Sequence, residues 1–141
     1  MKAYDREAFN QLCILVKQED EDARKWLMEN GCRELAEFWD AIDGVEKSFS
    51  WLMENGFRPF AAAVDAISGD SKAKVWLLQS GHHEIAAFVE ACNGSAAAVK
   101  WLVQHKEPGW LMVAKEISQK EKKKEKNFFQ RLFSFGNPFG G

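Results

Sequence analysis

Four tryptophans stand 25 residues apart, at Trp26, Trp51, Trp76 and Trp101. Each is followed by leucine (Leu27, Leu52, Leu77, Leu102), and glycine comes five residues after the first three (Gly31, Gly56, Gly81). Gly44, Gly69 and Gly94 form a second column, and Ala41, Ala66 and Ala91 a third. Such a register implies tandem units, each too small to cover its own apolar face, that must stack on their neighbours.

Each unit divides into two helices. After Gly69, Asp70 or Ser71 offers a short side-chain oxygen to the free N–H groups of a first turn. Ala73, Trp76 and Leu77 then fall on one face, and Gly81 closes the helix in a left-handed conformation. Ile85, Phe88, Val89 and Cys92 have the i, i+3, i+4, i+7 spacing of an amphipathic second helix, which Gly94 ends. The stripe recurs as Leu35, Phe38, Trp39 and Ile42, as Phe60, Ala63, Val64 and Ile67, and as Trp110, Val113, Ala114 and Ile117. Residues 5–18 read as a diverged first copy, with Phe9, Leu12, Cys13 and Val16 on one face. The spacing predicts about nine helices, near 5–18, 20–30, 33–43, 45–55, 58–68, 70–80, 83–93, 95–105 and 108–126.

The expected fold class is therefore all-α, a short α-solenoid of stacked antiparallel helix pairs. Alanines at 36, 61, 86 and 41, 66, 91 let neighbouring helices approach, and the repeat tryptophans are expected to fill the layer between hairpins. Residues 1–126 form the repeat domain and 127–141 an aromatic arm ending in glycine and proline.

Gly69, Asp70, Ala73, Trp76 and Leu77 carry a resemblance. The repeat resembles that of uncharacterised bacterial proteins with tandem Gly-Asp-x-x-Ala-x-x-Trp-Leu α-hairpins, over roughly residues 20–117. Gly44-Val45 and Gly94-Ser95 depart from the pattern. The resemblance implies the fold and carries no activity with it.

Little in the chain points to catalysis. Nucleophilic chemistry needs a nucleophile against an oriented base, yet Cys92 occupies the column of Ile42, Ile67 and Ile117, and Cys13 lies on the first apolar stripe. A hydrolase using His82 and His83 is a distant reading. No paired metal-ligand spacing and no phosphate-cradling glycine loop occurs, so neither cofactor nor metal is expected. Cys13, Cys32 and Cys92 are an odd number at irregular spacing, and the start lacks an apolar signal core. Reduced thiols in a cytoplasmic protein are the expectation.

Binding is the expected activity, on two surfaces. One is the turn between paired helices, where Arg33, Glu54, Asn55, Phe57, Arg58 and His83 stack into a polar row with an exposed aromatic. The other is the C-terminal arm. Residues 1–114 hold 12 Lys/Arg against 18 Asp/Glu, and residues 115–141 hold 7 against 3. The basic stretch, with Lys120, Lys122, Lys123, Lys124 and Lys126, runs into Phe128, Phe129, Leu132 and Phe133 on one helical face. That arm is expected to cap the last hairpin, to pair with a second copy, to dock on a partner protein, or to meet an acidic membrane surface. A protein or peptide partner ranks first and peripheral membrane attachment second. Nucleic acid is disfavoured, because Glu116, Glu121 and Glu125 interrupt the lysines and the body is acidic.

Overall fold

The computed structural model describes the backbone of residues 2–136 and the side chains of residues 2–124. Those residues form nine α-helices with no strand: α1 Arg6–Gln18, α2 Glu21–Glu29, α3 Arg33–Ile42, α4 Glu46–Glu54, α5 Arg58–Ile67, α6 Ser71–Gln79, α7 His83–Cys92, α8 Ala96–Gln104 and α9 Pro108–Gly136. Local chemistry sets most boundaries. Asp5, Asp20, Asp70 and Ser95 cap α1, α2, α6 and α8 through side-chain oxygens, as at Asp70, which accepts from the Lys72 N–H at 2.9 Å. Gly56, at φ +84°, makes the left-handed step that turns α4 into α5. Two ends of the array make the same step without glycine, at Glu19 (φ 53°) and Lys106 (φ 55°). The helices match the spacing-derived ones to within a residue at each end except for α9, which passes residue 126 unbroken.

The chain reverses after each helix, so the odd-numbered helices run parallel and form an inner layer. Here α1 packs on α3, α3 on α5, α5 on α7 and α7 on α9, and α9 returns to pack on α1. The stack of pairs is thus closed rather than open-ended. Buried alanines (Ala36, Ala61, Ala86, Ala41, Ala66, Ala91) allow close approach along the inner layer. The outer helices α2, α4, α6 and α8 pack on the inner ones and, among the described residues, not on one another. A close-spaced inner layer under a wide-spaced outer one must curve, and five inner helices complete the turn.

Each inner helix sends one ring to the axis: Phe9, Phe38, Phe60, Phe88 and Trp110, all buried. Phe38 stacks on Phe60 at 4.7 Å, and Trp110 meets Phe9 and Phe88 edge-on at 5.1 Å each. The repeat tryptophans sit elsewhere than expected. Leu27, Leu52, Leu77 and Leu102 are the fully buried residues of the outer helices, whereas Trp26, Trp51, Trp76 and Trp101 are half-buried. Leucine points down the seam between two inner helices, and the residue before it, about 100° round the helix, lies on the flank.

Candidate functional site

The flanks of α6 and α8 build a notch over α7. Leu78 of α6 and Trp101 of α8 line the two sides of a groove of about 300 Å³, with Ala86 and Ala87 of α7 and Ala97 and Ala98 of α8. His83 also lines it, as do Lys74 and Glu90, paired at 2.8 Å. In the preceding repeats, Met53, Arg58 and Trp76, then Met28, Arg33 and Trp51, hold the equivalent positions. The Arg33 guanidinium lies 4.6 Å from the Trp51 ring centre and that of Arg58 6.0 Å from Trp76. A guanidinium over an indole is attracted by the negative face of the ring and keeps its N–H groups free to donate. Neither arginine is in an ion pair among the described residues.

The column Met28, Met53, Leu78 and Val103 is exposed, from 40% to 59%. Reading inward-facing stripes alone overlooks these residues. Their signal in the sequence is an apolar side chain immediately after each Trp-Leu pair. Inner-face spacing leaves no role for it.

The expected turn row is divided by the structure. Arg33, Arg58 and His83 are exposed and belong to the notches. Glu54 is exposed at the end of α4. Asn55 turns back, its Nδ2 donating to the Trp51 carbonyl at 2.8 Å, as Asn30 does to Trp26. That amide closes its own helix end. Phe57 is a half-buried residue rather than an exposed one, sandwiched by Trp51 at 5.6 Å and Phe60 at 6.2 Å. The stack arises because Phe57 precedes α5 directly and must lie over the mouth of the ring, where Phe60 reaches the axis. Trp76 with His82 repeats the aromatic stack at 5.8 Å, whereas the ring that lies on Trp101, at 3.8 Å, is His105 from the Asn55 column.

The basic stretch has an internal use. The Lys120 Nζ donates to the Val16 carbonyl at 2.9 Å and to Glu19 at 3.1 Å, and lies 5.0 Å from the Trp39 ring centre. Lys124 pairs with Asp43 at 3.6 Å. These ammonium groups sit at the C-terminal ends of α1 and α3, where the helix dipole is negative. Phe128, Phe129, Leu132 and Phe133, with Lys126, lie outside the described side chains.

The cysteines are free thiols. Burial pushes the Cys13 thiol up to about 11 and raises Cys92 and Cys32 as well, which favours the protonated, weakly nucleophilic form. Among the described residues no group of three His, Cys, Asp or Glu side chains is placed to hold a metal ion, and no helix is long and apolar enough to cross a membrane. No protein-family model matches the chain, and neither a curated protein nor a solved structure is similar enough to match.

Proposed function

We propose that the chain is a non-enzymatic protein-interaction module that holds a peptide segment with alternating acidic and apolar side chains across the notches of its outer layer. The carrying observation is the pair of guanidiniums, Arg33 and Arg58, displayed on the faces of Trp51 and Trp76. Each presents a fork of donors suited to a carboxylate, with an exposed methionine at the same register and an indole that offers apolar contact. His83 and Trp101 line a third position at the same register. Selection from a random peptide library tests the reading. The expected result is enrichment of Asp/Glu spaced between apolar residues, with binding lost by at least about ten-fold in Arg33→Met/Arg58→Met. Peptides without acidic residues, or binding indifferent to the double substitution, would overturn it.

A second reading, attachment to an acidic membrane through the basic and aromatic part of α9, draws support from the helix running unbroken to Gly136. Flotation with anionic vesicles distinguishes the two: the membrane reading requires binding that is lost on removing residues 127–141.

A further inference from the structure

Closing the row has a consequence at the end of the ring opposite the turns. Because the inner helices are parallel, the C-terminal ends of α1, α3, α5 and α7 converge on one mouth, each bringing carbonyl oxygens with partial negative charge. The fifth inner helix, α9, does not stop there and stands beside the mouth as a wall. Two of the four ends already hold an ammonium group, Lys120 on the Val16 carbonyl of α1 and Lys124 beside Asp43 of α3.

The other two ends border a cavity of about 530 Å³. Its apolar lining is Ile42, Ile67 and Cys92, and its polar lining includes Ser68 and Asn93 at the ends of α5 and α7 and Ser118 and Glu121 on α9. That volume lies within the range of small-molecule sites. The Glu121 carboxylate is close enough to the buried Cys92 to help raise its thiol, after burial itself, which puts the negative charge near the cavity's apolar part. Lys122 stands on the lining too, and Lys124 lies 3.8 Å from the Glu121 carboxylate, so a ligand ammonium shares Glu121 with a cation of the protein and more than one ligand charge is opposed.

We infer that this mouth binds an organic ammonium ion with a short hydrocarbon body, a primary alkylamine, its nitrogen between Glu121 and the ends of α5 and α7 and its carbon chain on Ile42, Ile67 and Cys92. Lys120 shows the recognition chemistry at the α1 end, where its ammonium donates to the Val16 carbonyl. At the ends of α5 and α7 the carbonyls of residues 64–66 and 89–91 already accept backbone N–H groups, so the contact falls to those of Ile67 and Cys92. An alkali-metal ion would satisfy the carbonyls but gain nothing from the apolar lining.

The test is a titration of the full chain with n-hexylamine, hexanoate and 1-hexanol, followed by amide NMR shifts. Hexylamine is expected to move Ser68, Asn93, Gly94 and Ser118, and hexanoate to leave them in place. Glu121→Gln should weaken hexylamine by about ten-fold, since a charge-assisted contact is lost. Lys122→Gln should tighten it, most visibly at low ionic strength where like charges are least screened. Both side chains are solvent-exposed on α9, and a thermal melt of each variant checks that the ring is intact. Equal binding of hexanol or hexanoate, no shift with hexylamine up to about 10 mM, or indifference to Glu121→Gln would each overturn the inference.

Discussion

Gly109→Ala tests the closure of the ring at a single atom. Gly109 lies in the first turn of α9, where α9 meets α1, and is buried. A methyl group there would overlap three carbons of the Phe9 ring. Phe9 cannot swing away freely, because it is held edge-on by Trp110 at 5.1 Å and by Tyr4 at 6.0 Å. Two effects oppose each other. Alanine improves helix propensity over glycine by about 1 kcal/mol. Overpacking a filled site costs about 1–3 kcal/mol, so the net expectation is a loss of up to about 2 kcal/mol. With a urea slope of about 2 kcal/mol per molar, the unfolding midpoint should fall by up to about 1 M. In a Phe9→Ala background the ring is gone, and the same Gly109→Ala change should turn neutral or stabilising by up to about 1 kcal/mol. In an open row of hairpins, α1 and α9 would sit at opposite ends and Gly109→Ala would stabilise in both backgrounds. That outcome, or equal effects with and without Phe9, would refute the reasoning.

Three other outcomes follow from single residues. Tyr4 is the one tyrosine, and burial followed by the Glu34 carboxylate, which accepts its hydroxyl at 3.0 Å, pushes the phenol well above its ordinary 10.0. The unfolded chain releases that proton first, so stability should fall as pH rises past 10.0, and absorbance at 295 nm should show no tyrosinate until the chain unfolds; a midpoint near 10.0 in the folded protein would contradict this. Asp65 holds the repeat position of Asp40 and Glu90, which pair with Arg24 and Lys74, but the matching position here is Phe49. Burial first, then Asp70, raises its carboxyl, so the folded state binds the proton more tightly and stability is lost as pH climbs from 3.8 through the raised value. Asp65→Asn should therefore stabilise at about pH 7 and do nothing once both states are protonated, as paired urea curves will show. Lys106 stands in the glycine column with φ 55°, and Lys106→Gly should raise stability by about 1 kcal/mol; a lower melting temperature would rule out the strain.

Helix number, helix bounds and the inner stripes are legible in the sequence because neighbours along the chain set them. Capping oxygens at Asp70 and Ser95, glycine at the turns and a 3.6-residue apolar period act over four or five residues. Leu35, Phe38, Phe60, Ile85, Phe88 and Val113 are buried as that period requires. Of the candidate site, Arg33, Arg58 and His83 were legible as a column. Their indole partners were not, since Trp51 follows Arg33 by 18 residues and the pairing depends on how one hairpin leans on the next.

The tertiary structure alone decided closure, and with it the rest. A small rotation per repeat has no signature in any one repeat, yet summed over five inner helices it brings α9 onto α1. Lys120 therefore meets the Val16 carbonyl across 104 positions. A basic run that reads as a partner surface in the sequence thus serves in part to neutralise the converging helix ends. The tryptophans changed meaning for the same reason: their 25-residue register is written in the sequence, but the curvature that keeps the outer helices apart is what leaves them half-buried beside open notches.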